Sequence, residues 1–265
     1  MRSHAEQGFT LIELVVVIIL LGVLATVSLE LLRQPIDASA DAQRRARLAD
    51  AADQAMARVS RDLRLSLPNS VRVLDGGRAI EMLLAPAGGR YRARITAAGT
   101  GDLLDFASAD TSFDLLSPLA QVPAAGQWAV VYNLSAEGTQ ANAWAGDNRA
   151  NIGAGSTASR IVLAAGFRFP FASPGQRVYL VDRAVQYRCT TDGRLLRHSG
   201  YAITASPVVG PAGSAPLVVD GVSFCDFRYA PGTASRQGLA SLSLALTRDN
   251  ESVSLLKSLH LANVP

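Results

Sequence analysis

The sequence predicts an α+β chain: one long amino-terminal helix, packed on an antiparallel β-sheet, followed by an enlarged β-rich head. Three observations carry this reading. Residues 9–29 form an apolar run containing one charged side chain, Glu13. Apolar residues then recur at helical spacing as far as Leu63. From residue 71 the pattern changes to short segments punctuated by Gly, Pro, Asn and Asp, as expected for strands joined by tight turns.

The apolar run is 21 residues long. At ~1.5 Å per residue it spans roughly 30 Å, the thickness of a bilayer hydrocarbon core. A carboxylate at the centre of such a segment costs roughly 2.5–3.5 kcal/mol, somewhat less near an end, and marks a functional site by default. A secretory signal would place a small-residue cleavage site after the run. Leu29-Glu30-Leu31-Leu32-Arg33 is not one. The small residue placed for cleavage is Gly8, ahead of the run, so cutting there keeps the helix and creates a new amino terminus at Phe9.

Gly8-Phe9-Thr10-Leu11-Ile12-Glu13-Leu14 resembles the processing motif of type IV prepilins. The resemblance implies that prepilin peptidase cuts between Gly8 and Phe9 and that the amine of Phe9 is methylated. It gives Glu13, fifth in the mature chain, the place of the family's assembly glutamate, which pairs with the amino terminus of a neighbouring subunit. Opposite charges brought together in a low-dielectric bundle offset a cost that neither bears well alone. Glu13 also lies in the first helical turn, where the helix dipole favours an anion. Charge counting disagrees about orientation. Upstream of the run there is only Arg2 and the amine; downstream come Arg33, Arg44, Arg45 and Arg47, which would place the body inside the cell. A periplasmic body, followed by display on a surface pilus, is therefore implied by the resemblance and not by charge.

The second half of the helix follows a bend expected at Pro35, where a backbone donor is missing. Leu48, Ala52, Ala55, Val59 and Leu63 form one apolar stripe. Arg44, Arg45, Arg47, Asp50, Arg58, Arg61 and Asp62 are expected on the opposite, solvated face. Pro68-Asn69-Ser70 ends the helix. Gly22 weakens the membrane half by about 1 kcal/mol relative to Ala. The chain thus divides into a leader (1–8), a transmembrane helix half (9–29), an amphipathic half (30–67) and a β-rich head (68–265).

In the head, segments 71–74 and 78–84 around Gly76-Gly77 read as a hairpin. Further strands are expected at 91–95, 103–106, 127–134, 160–163, 177–181 and 185–189. Residues 135–159 read as a long irregular insertion and 204–216 as a linker. The last fifty residues read as a meander over 217–229, 239–247 and 252–261, suited to covering the helix stripe, with Leu242, Leu244 and Leu246 alternating with small residues.

With 265 residues and 49% hydrophobic content, the chain can bury one large core or two modest ones. A net charge of +3 demands no acidic partner, and the near-absence of lysine (Lys257 alone) reads as compositional bias. Cys189 and Cys225 lie 36 residues apart. A disulfide is the simplest reading in an oxidising compartment and would contribute roughly 3–4 kcal/mol. Two free buried thiols or a metal site are the alternatives, the last lacking His partners at ligand spacing.

Tyr187-Arg188-Cys189, Asp192-Gly193-Arg194-Leu195, Gly200-Tyr201 and Val222-Ser223-Phe224-Cys225 resemble the body of O-type minor pilins of the mannose-sensitive haemagglutinin (MSHA) pilus. The terminal residues 258–265 resemble the ends of larger minor pilins. J-type pseudopilins of type II secretion are the rival family. Either resemblance implies as partners prepilin peptidase, a major pilin, other minor pilins and the inner membrane. It implies no enzyme activity and no cofactor.

The remaining constellations carry little chemistry. His4, His198 and His260 are the only histidines, and no nucleophile elbow, Walker loop or dinucleotide fingerprint occurs. His198, beside a Gly-Tyr pair, is expected at the surface. Asp147, Asn148 and Asn151 depart from the spacing of a calcium loop. Arg90, Arg92 and Arg94 would share one strand face and could meet phosphates. A solvated face is the simpler reading, so nucleic acid is not expected as a partner. Any surface ligand would contact that face or the 135–159 insertion.

Overall fold

The computed structural model describes residues 10–232 and 236–262. The chain divides into two compact units, residues 1–49 and 50–265, and the division falls inside a single helix, α1 (Leu11–Arg64). The helical assignment continues on both sides of Pro35. The residues of the predicted stripe, Leu48, Ala52, Ala55, Val59 and Leu63, are all buried, and Met56 joins them. Asp62 departs from expectation. It is buried, because its carboxylate accepts a hydrogen bond from the Tyr187 hydroxyl at 2.7 Å and pairs with Arg197 Nε at 2.8 Å. Helical periodicity places a charge by angle alone and misses partners supplied by a sheet.

Those two partners belong to a five-stranded antiparallel sheet ordered β1-β2-β9-β10-β11, with β1 (Arg72–Leu74), β2 (Ala79–Leu84), β9 (Arg183–Cys189), β10 (Arg194–Ser199) and β11 (Leu217–Asp220). The expected β1–β2 hairpin is present, with Arg72 opposite Glu81. Its turn needs Gly77, whose φ is +96° and whose added Cβ would lie 3.3 Å from the Phe227 carbonyl oxygen.

A second, four-stranded sheet is ordered β3-β8-β5-β6: β3 (Ala87–Arg90), β8 (Arg177–Val181), β5 (Trp128–Val131) and β6 (Arg149–Asn151). The two sheets share chain, because β2 runs into β3 and β8 into β9 through corners at residues 85–86 and 182. Leu83 and Ala184 of the first sheet, Val130 and Val181 of the second, and Leu67, Ala143 and Trp144 form one core cluster. Across the four-stranded sheet, Ala129, Val131, Val178 and Leu180 pack with Phe113, Ile161 and Leu163 of a two-stranded pair, β4 (Asp110–Asp114) and β7 (Arg160–Phe167).

The third sheet is the expected meander, β12 (Val222–Ala230), β13 (Gly238–Arg248) and β14 (Glu251–Leu261). Asp249 and Asn250 both have positive φ, the conformation of the hairpin turns that match strand twist. Leu242, Leu244 and Leu246 are buried, as their alternation predicts.

Five expected segments differ. The strand expected at 217–229 is two strands in different sheets, broken at Gly221, whose φ is +74° and whose Cβ would lie 3.1 Å from the Thr247 carbonyl oxygen. No strand occupies 91–95 or 103–106. The preceding strand, β3, ends at Arg90, and Asp105 turns the later segment by accepting the Ala107 N–H at 2.7 Å. The 135–159 insertion contributes buried Ala141, Ala143 and Trp144 to the core, with the Trp144 indole donating to the Ser70 carbonyl at 2.8 Å. Residues 204–216 are not a free linker. Their carbonyl oxygens at Ala205 and Val208 accept from Arg72 and Gln186, both at 2.8 Å.

Candidate functional site

The amino-terminal segment is built from a capped helix start. Thr10 precedes α1, and its carbonyl accepts the N–H groups of Glu13 (3.1 Å) and Leu14 (3.2 Å). Its hydroxyl also accepts the Glu13 N–H at 3.4 Å. Thr followed three residues later by Glu is the spacing of a capping box. Glu13 is therefore placed in the first turn of α1 with its side chain exposed, where the helix dipole favours negative charge. Gly8 and Phe9, the expected cleavage and methylation positions, lie outside the described residues.

Beyond Glu13 the helix presents apolar side chains on every side. Leu11–Ser28 is long and apolar enough to cross a membrane, and none of that window is buried within the chain. Leu11, Ile12, Ile18 and Leu24 are each at least 60% exposed, which in water would be strongly unfavourable and in lipid is the expected state. Thr26 satisfies its hydroxyl on the Val23 carbonyl at 2.8 Å, as a polar group inside hydrocarbon must. Nothing lies within 4 Å of a Cβ added to Gly22, so no packing inside the chain requires glycine there.

Cys189 and Cys225 form a disulfide, which ties β9 of the five-stranded sheet to β12 of the meander. His198 is buried, contrary to expectation: it sits on β10 beneath residues 204–216, with Nδ1 3.1 Å from the Pro211 carbonyl oxygen. His260 is exposed on β14. Arg90, Arg92 and Arg94 do not share a strand face, because β3 ends at Arg90 and Arg92 turns toward Asp114 at 3.7 Å. Asp147 caps the insertion by accepting the Asn142 N–H at 2.8 Å, and among the described residues no cluster of metal-ligating side chains forms.

Sequence reasoning missed a buried polar layer on the five-stranded sheet, away from α1. Arg72 Nε pairs with Glu81 Oε2 at 2.6 Å while its guanidinium lies 3.7 Å from the centre of the Trp144 ring. The Tyr201 hydroxyl donates to Glu81 Oε1 at 2.9 Å. Burial, and then the Glu81 carboxylate, push the Tyr201 phenol far above its ordinary range; burial and then Asp62 do the same for Tyr187. The one signal in the sequence is a charge placed within an otherwise apolar strand, Glu81 between Ile80 and Met82. This layer pins residues 204–216 to the sheet.

A family model described as the prokaryotic N-terminal methylation motif matches residues 3–29. No curated protein and no solved structure matches the chain. The motif supports a type IV pilin-like or pseudopilin protein, and the apolar helix with an antiparallel, β-rich remainder fits that fold. Such a motif implies processing by prepilin peptidase and assembly with other pilins, and the helix fits single-pass anchoring in the inner membrane.

Proposed function

We propose that the chain is a minor pilin of an MSHA-like type IV pilus, a structural subunit with no catalytic role. Prepilin peptidase removes residues 1–8, the Phe9 amine is methylated, and the head stands in the periplasm until assembly carries it to the cell surface. Glu13 then accepts the charge of a neighbouring subunit's Phe9 amine, and the apolar surface from Leu14 to Val27 packs among other pilin helices. The observation that carries this reading is one carboxylate in the first turn of α1, within an otherwise apolar segment, Leu11–Ser28, of which nothing is buried in the chain, and within the matched motif. In the isolated subunit the charge is unfavourable in lipid; in a bundle it has a partner. A large head is harder to tile along a filament than to carry at its end, which supports a position near the tip.

The test is Glu13→Ala in the native host, scored for leader removal and for surface pili. Cleavage is expected to continue while piliation is lost. Normal piliation in this variant would remove the assembly role of Glu13. Deletion of the whole chain separates the rival pseudopilin reading: loss of exoprotein export with intact surface pili would favour type II secretion.

A further inference from the structure

A cleft of about 670 Å³ in the head is lined on one side by Val71 to Leu74, the outer edge of the five-stranded sheet, and on the other by Tyr229 near the end of β12. The ladders decide which backbone groups enter it. Leu83 of β2 bonds toward the β1 side: its carbonyl accepts the Leu67 N–H at 2.8 Å and its N–H reaches Ser70 Oγ at 3.3 Å. Arg78, just ahead of β2, bonds the other way, its carbonyl accepting the Cys189 N–H at 2.9 Å. Antiparallel ladders alternate, so Glu81 and Ala79 bond their partners Arg72 and Leu74, and Val73 between them turns its N–H and C=O out of the sheet. In the meander, the Thr247 N–H bonds the Gly221 carbonyl at 2.8 Å. By the same alternation Ser241 and Leu239 bond Arg228 and Ala230, and Tyr229 between those two turns its backbone outward.

Beyond these ladders, no described residue bonds to the backbone of Val71, Val73 or Tyr229, to the Tyr229 hydroxyl or to the Glu137 carboxylate. Val71 is buried, and a buried backbone group without a partner is rare. A strand edge with unpaired N–H and C=O groups is a template for an added strand. The cleft also holds one cation, Arg72, but its guanidinium is taken by Glu81 at 2.6 Å and by the Ala205 carbonyl at 2.8 Å. The charge left without a partner is Glu137, exposed at the rim.

We propose that this cleft binds an extended peptide that pairs along Val73 and carries a basic side chain to Glu137. The peptide backbone meets the outward N–H and C=O of Val73, its apolar side chains lie against Ala136 and Pro207, and Tyr229 closes the opposite wall. A neutral saccharide fits less well, because it offers Glu137 no cation, and an acidic one is repelled. The proposal rests on the head alone and does not depend on the assembly role of Glu13.

The test uses the full chain in non-ionic detergent micelles at low salt. It is titrated with a capped hexapeptide of alternating valine and lysine, with the valine–glutamate counterpart, and with the valine–lysine peptide methylated on alternate backbone nitrogens. The valine–lysine peptide is expected to bind and to slow hydrogen exchange at the Val73 amide. The methylated peptide, which cannot complete the ladder, binds about tenfold more weakly or worse. The valine–glutamate peptide is weaker still. Glu137→Gln weakens the valine–lysine peptide by about threefold or more, as expected for one exposed ion pair, whereas Asp53→Asn, on the exposed face of α1, leaves it unchanged. Val73→Pro removes the outward donor on an edge strand, where proline is tolerated, and weakens binding by about tenfold, with thermal melting reporting that the variant is folded. Absence of valine–lysine binding, equal binding of the methylated peptide, equal loss in Asp53→Asn, or binding with no added protection at Val73 would each overturn the proposal.

Discussion

Glu13 and Asp62 are carboxylates on the same helix, and their surroundings give them different work. Glu13 follows Thr10 at capping-box spacing, so its place in the first turn is fixed locally, by the motif itself. That is why it is legible in the sequence. Asp62 sits on the buried side of α1 only because Tyr187 and Arg197, 125 and 135 residues away in sequence, reach it from the sheet. No spacing rule finds those partners. The Asp62 and Arg197 side chains retain only 12% and 16% exposure, so breaking the pair strands a charge in a largely apolar setting. Asp62→Asn is expected to destabilise the head by about 2–3 kcal/mol, a little below the roughly 3–5 kcal/mol of a fully buried pair. Tyr187→Phe, which removes one hydrogen bond to a charged group, is expected to cost about 1.5 kcal/mol. Denaturant unfolding of each variant measures both.

Elements whose patterns are local are legible in the amino-acid sequence: the apolar run, the α1 stripe, the β1–β2 hairpin, β8 and the meander. Elements decided by distant contact are not. The strand β3 is not among the expected ones; its Gly88 permits Val178 and Tyr179 to approach the backbone closely. The 135–159 insertion reads as irregular, and nothing in that reading shows that its Trp144 fills the core between two sheets. The meander is joined to the five-stranded sheet by two devices. One is Gly221, whose left-handed backbone lets the chain leave one sheet for the other; Gly221→Ala is expected to cost about 1–2 kcal/mol, since alanine is strained at that φ. The other is the Cys189–Cys225 disulfide. Cys225→Ser is expected to lower stability by roughly 3–4 kcal/mol, since the unfolded chain regains the freedom of a 36-residue loop. Hydrogen exchange should show the added opening concentrated in β12 and β11.

At the scale of the whole molecule, the head is stabilised by neutral phenols facing carboxylates. Tyr187 and Tyr201 both hold their protons well above the ordinary tyrosine value, burial first and the facing carboxylate second. The unfolded chain loses those protons near pH ~10 while the folded chain keeps them. The folded state therefore binds more protons above that point, and stability falls as pH rises. The melting temperature of the head is expected to hold steady up to about pH 9 and decline beyond about pH 10. Tyr201→Phe should blunt that decline. The apolar segment that opens α1, Leu11–Ser28, contributes no residue to this network, and on the proposed reading its chemistry begins with the creation of a new amino terminus at Phe9. Mass spectrometry of the amino-terminal peptide of the chain recovered from its native host tests that most directly. The expected peptide begins at Phe9 and carries one methyl group on its amine. A peptide beginning at Met1, or one beginning beyond Leu29 with the helix removed, would contradict a prepilin-type subunit.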